Sequence, residues 1–277
     1  MDALRLLREG ELEVRGRLIV SSNAALLCTV ALASVASAAI YKPIRFERPL
    51  WDFPDGTLAH REVAAFLVSE ATGWGIVPPP VLRDGPAGPG MVQLWIDEDQ
   101  AVDAWELVQA ADERLRPMAV FDAVVNNTDR KGGHILPVRL DAGEAANAGE
   151  AGEAMGEAKA AGAAEAMNEA MAAHAGEPGD GDSALHLYGV DHGVCFSDEP
   201  KLRTVLWAWR GTPLAPAELD VLRRLRTDLD GDLGRGLRQL LAPGEVSATH
   251  ARIEMLLADG CFPEPLPDRP AIPWPPF

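Results

Sequence analysis

Residues 141–183 restrict the possible fold of this chain more than any other stretch. They consist mainly of Ala, Gly, Glu and Met, and they include no aromatic residue. A segment with so little apolar surface cannot offset the entropy that is lost on ordering, so we predict a disordered insertion here. The folded part must therefore be built from the residues on either side.

The insertion also carries much of the negative charge. Ten acidic residues and one lysine give it a net charge of -9, out of -17 for the chain of 277 residues. What remains is moderately acidic and long enough for one large domain or two lobes. An acidic protein is a poor match for the phosphates of nucleic acids, so we exclude nucleic acid as the main partner.

Three cysteines are scattered along the chain without metal-ligand spacing, and this usage fits a reducing cytoplasm: Cys28, Cys195 and Cys261. Residues 18–41 carry no charge and are long enough to span a bilayer, but polar residues at 21–23 interrupt them. Because the apolar pieces that follow are typical of two strands joined by a turn, we predict a cytoplasmic protein without a transmembrane segment.

Apolar periodicity predicts a short helix at 2–9 and then an antiparallel meander of three strands that ends at IYKPI. Residues 57–74 have the spacing of an amphipathic helix, with Thr57 as its cap and Gly73 as its stop. Residues 81–96 then predict a hairpin with a Gly/Pro turn.

The second half of the chain predicts more helix. Residues 99–127 indicate two helices, and the strand-like stretches HILPVRL and ALHLYGVDHGVCF flank the insertion, so we expect them to pair as a hairpin. Two short helices are expected at 216–240 and 247–258, before a proline-rich segment.

The stretch FDAVVNNTDRKGGHIL concentrates two amides, an acid, two bases and an imidazole within nine residues. Elsewhere, Lys42 ends an apolar strand, Glu62 lies on the next helix, and Asp191 ends a strand just before His192-Gly193. Together with Asp129, this is the set of side chains that phosphoryl transfer requires.

Four motifs carry a resemblance to a known superfamily. IYKPIR resembles the lysine strand of type II phosphatidylinositol 4-kinases, and REVAAFLV resembles their glutamate helix. NNTDRKGGHIL is similar to the Asp-Arg-x-x-x-Asn catalytic loop of the phosphatidylinositol 3- and 4-kinases, and GVDHGVCF to their Asp-x-Gly metal motif. The order and spacing match over roughly residues 10–260. The chain resembles in particular an actinobacterial family described as phosphatidylinositol-kinase-related, and HipA-like toxin kinases share the plan.

The resemblance implies an α+β, two-lobed protein-kinase-like fold of the phosphatidylinositol kinase/HipA type. Residues 1–97 would form an N-lobe with an antiparallel sheet and a helix. Residues 98–277 would form a mainly helical C-lobe that carries the catalytic loop, the metal motif and the insertion at 141–183.

The resemblance also implies ATP and Mg²⁺ as cofactors and an alcohol as phosphoacceptor. Lys42 would hold the phosphates, Glu62 would orient Lys42, and Asp129 would position the acceptor hydroxyl, with Arg130 beside it in the catalytic loop. The remaining contacts to nucleotide and metal would come from Ser21, Ser22, Asn23, Gln93, Leu94 and Trp95 for the nucleotide, and from Asp191 and His134 for the metal.

His134 departs from the superfamily pattern, which has an asparagine at this position. Imidazole is a poorer ligand than an amide oxygen for Mg²⁺ but suits Mn²⁺. Two alternatives therefore stay open. One is a pseudokinase or nucleotide-binding regulatory module; the other is a metal-dependent hydrolase that uses Asp129, His134, Asp191 and His192.

The acceptor is open among a lipid, a protein and a small molecule. Basic residues follow the Asp-x-Gly motif beside Trp207 and Trp209, and in the lipid kinases this region meets the phosphorylated head group: Lys201, Arg203 and Arg210. Such a cluster would allow transient contact with a membrane surface, but tryptophans at this spacing are as typical of a core.

Deletion of residues 145–179 tests the predicted insertion. We expect the shortened protein to fold and to bind nucleotide as the full chain does, because the segment has too little apolar surface to stabilise the fold. Thermal unfolding and nucleotide titration measure both properties. A large drop in melting temperature would contradict the prediction.

Overall fold

The computed structural model describes residues 2–18, 25–139 and 185–277. The predicted phosphate loop residues Ser21, Ser22 and Asn23 and the insertion at 141–183 lie outside the described residues. The predicted α+β class is confirmed, because an antiparallel sheet and a set of helices make up the described part.

The chain divides into two compact units, and each is treated by itself below. The sheet unit comprises Met1–Ala59, Pro78–Asp99 and Val138–His186. The helical unit comprises His60–Val77, Gln100–Pro137 and Leu187–Phe277. The lobe boundary expected at residues 97 and 98 stays a prediction.

The sheet unit contains a five-stranded sheet of order β1-β2-β3-β5-β4, in which every neighbouring pair is antiparallel. Its strands are β1 (Glu11–Arg17), β2 (Leu26–Leu32), β3 (Val35–Pro43), β4 (Pro80–Gly85) and β5 (Gly88–Leu94). The predicted meander and hairpin are both confirmed. Helix α1 (Ala3–Glu9) packs Leu6 and Leu7 into the core of the sheet.

Two glycines of the β4–β5 hairpin allow it to approach the strand that carries Lys42. The neighbouring Tyr41 is fully buried, and its hydroxyl donates to the carbonyl of Gly88. A Cβ atom at Gly85 would lie 2.7 Å from the Tyr41 ring, and one at Gly90 would lie 2.5 Å from the Lys42 carbonyl oxygen. No larger residue fits at either position without displacement of the backbone or the ring.

The described residues contain seven α-helices: α1, α2 (Leu58–Thr72), α3 (Ala104–Gln109), α4 (Arg116–Val125), α5 (Pro216–Leu229), α6 (Asp232–Leu240) and α7 (Pro243–Asp259). The Glu47 carboxylate accepts the N–H groups of Leu58 at 3.2 Å and Ala59 at 2.9 Å, where a negative charge favours the start of a helix. The Thr57 hydroxyl donates to the Pro54 carbonyl. Gly73 stops α2 at φ +72°, as predicted.

The single helix predicted at 216–240 is wrong, because the chain breaks between Leu229 and Asp232. A Cβ atom at Gly234 would lie 1.7 Å from the Leu229 carbonyl oxygen, so α6 turns back closely against the end of α5. The next helix begins at Pro243 rather than at 247. Its Glu245 carboxylate accepts the Ala242 N–H at 2.8 Å, which stabilises the earlier start.

Strands β6 (Ile135–Arg139) and β7 (Leu185–Gly189) form a separate two-stranded sheet, so the pairing expected across the insertion is confirmed. The uncharged stretch at 18–41 supplies β2 and most of β3. Among the described residues, no helix has the length and apolar character needed to cross a bilayer. All three cysteines are free thiols, and burial raises the pKa of Cys28 to about 11.

Substitution of Gly90 by Ala tests the close packing of the hairpin. We expect Gly90→Ala to lower the free energy of unfolding by about 1–3 kcal/mol, because the new methyl group meets the backbone of β3. Gly16→Ala in β1 is the control, since no atom lies within 4 Å of its Cβ position. Urea denaturation that found equal stability for the two variants would contradict the packing argument.

Candidate functional site

The polar loop singled out in the sequence begins where α4 ends. Asn126 ends this helix in the left-handed conformation, at φ 53° and ψ 54°. Its buried side chain donates to the carbonyls of Ser197 at 2.9 Å and Glu199 at 2.7 Å, and it accepts the Lys201 N–H at 2.9 Å. Asn126 therefore fixes the start of the loop to the segment that follows the Asp-x-Gly motif.

Asn127 orients Asp129. Its side-chain oxygen accepts the Asp129 N–H at 3.0 Å, and its amide nitrogen donates to the Asp122 carboxylate at 3.0 Å. The Thr128 hydroxyl between them donates to the Val194 carbonyl at 2.8 Å. These contacts fix the backbone that leads into Asp129.

The Asp129 side chain remains partly open to solvent. It is 29 % exposed, and its carboxylate lies 3.0 Å from Lys131 Nζ. The carboxylate is therefore accessible from solvent.

Arg130 is fully buried and pairs with an equally buried Asp122 on α4. Its Nε donates to both carboxylate oxygens, at 3.0 and 3.2 Å, and Nη2 donates to one of them at 2.9 Å. Desolvation of two charges is tolerated only where they are paired and further hydrogen bonds satisfy the remaining donors. Arg130, which was predicted to be catalytic, therefore holds the loop in place through its buried ion pair with Asp122.

The remaining N–H donors of Arg130 contact the end of the loop and the two residues that flank Asp191. Nη1 donates to the carbonyls of His134 and Val190 at 3.2 Å each, and Nη2 lies 2.7 Å from His192 Nε2. Because a guanidinium only donates, His192 accepts at Nε2 and carries its proton on Nδ1. Gly189 makes room for this group, since a Cβ atom there would lie 2.9 Å from Arg130 Nη2.

His134 and Asp191 meet across the β6–β7 pair. His134 Nε2 lies 3.5 Å from Asp191 Oδ2, and the side chains are 17 % and 50 % exposed. Burial lowers the pKa of His134, and the negative charge of Asp191 opposes that shift only in part. The imidazole is therefore neutral near pH 7, the form that can ligate a metal.

The Asp191 turn is also held from α2. Asp191 has a positive φ of 63°, and the N–H of the next residue, His192, donates to the Glu62 carboxylate at 2.8 Å. Glu62 is only 2 % exposed. The predicted Glu62 thus contacts the backbone of the Asp-x-Gly motif, while its pairing with Lys42 stays a prediction.

Lys42 and the predicted adenine strand lie together in the sheet unit. Lys42 is partly buried on β3 and is opposite Met91 on β5, which continues to Gln93 and Leu94. The Leu94 N–H donates to the Pro79 carbonyl at 3.3 Å, and the Trp95 N–H donates to Ala38 at 3.1 Å. These two N–H groups are therefore already paired within the unit.

The basic cluster after the Asp-x-Gly motif binds the protein itself. Lys201 Nζ lies 3.4 Å from Glu199, and Arg203 Nε donates to the Thr128 carbonyl at 2.8 Å. Trp209 is buried and Trp207 donates from its indole nitrogen to Ala271. The interpretation of these tryptophans as packing residues is the one that the contacts favour.

Sequence reasoning gave no role to four residues that build the site: Asp122, Asn126, Asn127 and Lys131. Asp122 had a detectable signal, because it is an acid inside the apolar run of α4 and every other residue from Met118 to Val125 is also buried. The two asparagines follow the end of a helix, where Asn is common in the left-handed conformation. Their position is therefore explained by local sequence, whereas their long-range partners could not be predicted from it.

Asp191 and His134 lie where the loop meets the Asp191 turn, and they are too few to bind a metal ion by themselves. They would suit a divalent ion whose other ligands are nucleotide phosphates and water. Asp191 offers one carboxylate and His134 one imidazole nitrogen, and no group of three or more His, Cys, Asp or Glu side chains occurs in the described part of the chain. Mg²⁺ is held in this way when substrate phosphates and water complete its shell. The imidazole favours Mn²⁺ in the same position.

Removal of the buried carboxylate tests the central ion pair. We expect Asp122→Ala to lower the free energy of unfolding by about 3–5 kcal/mol, because it leaves Arg130 buried without its counter-charge. Asp220→Ala is the control, since Asp220 and Arg223 pair at the surface with side chains 63 % and 55 % exposed, and it should change stability by less than about 1 kcal/mol. Chemical denaturation that gave both variants the same stability would contradict the assignment.

One solved structure and one curated protein each match nearly the whole chain. No protein-family model matches the sequence. Among solved structures, the crystal structure of the Helicobacter pylori proinflammatory kinase CtkA has a TM-score of 0.44 and 10 % identity, over 92 % of this chain and 94 % of that one. Among curated proteins, protein Rv2133c of Mycobacterium tuberculosis is 37 % identical over 311 residues, which cover 100 % of this chain and 96 % of the relative. The chain belongs to the same protein family as Rv2133c.

Proposed function

We propose that the protein is an ATP-dependent phosphotransferase with a two-lobed kinase-like fold, related in its site to the phosphatidylinositol 3- and 4-kinases. The observation that carries this proposal is the meeting of the 129–134 loop with the Asp191 turn, where His134 lies 3.5 Å from Asp191. The proposed proton acceptor, Asp129, and the proposed metal ligands, His134 and Asp191, thus lie next to the buried Arg130. Phosphoryl transfer uses these parts in this order along the chain.

Asp129 has the properties of the group that receives the acceptor proton. Its carboxylate is partly exposed, and its backbone is fixed by Asn127. In the proposed reaction Asp129 orients the acceptor hydroxyl and takes its proton while the acceptor oxygen bonds to the γ-phosphorus of ATP. The bond from that phosphorus to ADP breaks at the same step, and ADP leaves. Lys131 Nζ lies 3.0 Å from this carboxylate.

Asp191 and His134 would hold the divalent ion that accompanies ATP. When bound, such an ion neutralises charge that develops on the transferred phosphoryl group. The contact between the His192 N–H and Glu62 fixes the turn from which Asp191 projects. The neutral state of His134 leaves a nitrogen lone pair for this role.

Lys42 is assigned to the nucleotide phosphates, and the strand that carries Gln93, Leu94 and Trp95 to the adenine. The adjacent pairing of β3 and β5 supports this assignment, because it places both sets of residues on one sheet. Since the N–H groups of Leu94 and Trp95 are already paired, the adenine would contact side chains, carbonyl groups and the residues after Trp95.

The hydrolase alternative is disfavoured by His192. Its side chain is fully buried and occupied by Arg130, so it has no path to a substrate. The acceptor in our proposal is an alcohol. Since Lys201 and Arg203 bind Glu199 and Thr128, a protein or small-molecule hydroxyl fits as well as a lipid head group.

Substitution of Asp129 tests the reaction type. We expect Asp129→Asn to lower ATP turnover by roughly 10²–10⁴-fold while Mg-ATP affinity stays unchanged, because an amide cannot accept the proton. Asp112→Asn is a matched control, since Asp112 also pairs with a base two residues ahead, Arg114, at 2.8 Å. Turnover is measured as phosphate release from radiolabelled ATP alone, and as transfer of the labelled phosphoryl group to acceptors in panels of lipids and metabolites.

Two outcomes separate the alternatives. A wild-type protein that binds Mg-ATP but never turns it over would support the hypothesis of a pseudokinase. A wild-type protein that binds no nucleotide, with Lys42→Met indistinguishable from it, would refute the kinase-type site altogether.

Replacement of His134 by Asn tests the metal assignment. We expect His134→Asn to raise Mg²⁺-supported turnover relative to Mn²⁺-supported turnover, because an amide oxygen replaces the imidazole nitrogen. His250→Asn on α7 is the control and should leave the ratio unaltered. An unchanged ratio in both variants would remove His134 from the metal site.

A further inference from the structure

Residues 271–277 lie directly on the catalytic loop. The N–H of Gly132 donates to the Pro276 carbonyl at 2.9 Å. The Phe277 ring meets Trp105 on α3 edge to face, with 5.9 Å between the ring centroids and an angle of 80°. Gly132 lies three residues after Asp129 and two before His134, so this contact acts on the middle of the loop.

Gly132 is enclosed between the two aromatic rings. A Cβ atom at Gly132 would lie 2.6 Å from the Phe277 ring and 3.2 Å from Trp105. The next residue, Gly133, has no atom within 4 Å of its Cβ position. Two consecutive glycines offer no side chains of their own to hold the loop, so its outer side depends on the packing of Phe277.

The same segment is anchored a few residues earlier. The Ala271 carbonyl accepts the N–H of Thr204 at 3.1 Å and the indole N–H of Trp207 at 2.8 Å. Thr204 forms a parallel bridge with Arg130. Residues 271–277 therefore connect Thr204, which lies beside Arg130, to the Gly132 turn.

We propose that Phe277 is a positioning residue for catalysis: it clamps Gly132 from the outer side and thereby fixes Asp129 and His134 in the geometry that turnover requires. Arg130 contacts the loop at the His134 carbonyl, and Phe277 contacts it at Gly132. The inference rests on the proposed phosphotransferase function, because its readout is the chemical step. Phe277 acts through Gly132 and needs no contact with the substrate.

Phe277→Ala is the test, with Trp274→Ala as the matched control. Phe277 is itself 61 % exposed, but its ring contacts Gly132 and Trp105. Trp274 is an aromatic residue of the same segment and is 90 % exposed. We expect Phe277→Ala to lower kcat for Mg-ATP or Mn-ATP hydrolysis, measured as phosphate release, by about 10- to 100-fold, because small displacements of a catalytic group have effects of this size. The Kd for the nucleotide should change less than twofold. Phe277→Tyr, which keeps the ring, should retain kcat, and Trp274→Ala should match wild type.

Gly132→Ala provides a second route to the same loop. Its methyl group displaces the Phe277 ring, so we expect a similar loss of kcat, and the double variant with Phe277→Ala should lose no more than the single variants. Equal kcat for Phe277→Ala, Trp274→Ala and wild type would overturn the positioning role alone. A loss of nucleotide binding in Phe277→Ala in step with kcat would also overturn it, since a general structural defect would then account for both. Absence of turnover in the wild type with either metal would overturn the proposed function, and the positioning role with it.

Discussion

The buried guanidinium of Arg130 is the interaction on which the rest of the site depends. All five of its N–H donors are used: by the Asp122 carboxylate, by the carbonyls of His134 and Val190, and by His192. These partners come from α4, from the loop itself and from the strand pair that leads to Asp191. Lysine could not replace Arg130, because its three donors lack the planar fork that reaches all of these partners.

Much of the fold could be predicted from local pattern. Period-two alternation located the meander and the β4–β5 hairpin, and apolar spacing located α2 and α4, since both signals lie within one element. The contact of Glu47 with the start of α2 was not predicted, because Glu47 lies 11 residues before Leu58. The break before Asp232 was missed for a similar reason: the close approach of Gly234 to Leu229 forms only when two helices meet.

The sequence indicated candidate site residues but not the contacts that hold them in place. The order of Lys42, Glu62, Asp129 and Asp191 along the chain was evident from the sequence, but burial was not. Arg130 is charged and polar, and nothing local distinguishes a solvated arginine from one with no exposed surface. The pairing partner Asp122 is separated from it by eight residues and a helix end, and the contact of Glu62 with the His192 backbone spans 130 residues. Such contacts follow from tertiary packing.

The pairing of β6 with β7 has a consequence for how this chain can vary in length. The two strands lie side by side although residues 140–184 separate them in sequence, and β7 leads directly to Asp191. The composition of residues 141–183 predicts a flexible connection, and the entropy of closing such a connection grows only with the logarithm of its length, so that doubling it costs about 0.6 kcal/mol. We therefore expect insertions and deletions between these strands to change the free energy of folding far less than a single substitution at Arg130 or Asp122. The chain can lengthen or shorten at this point while the geometry beside it stays the same.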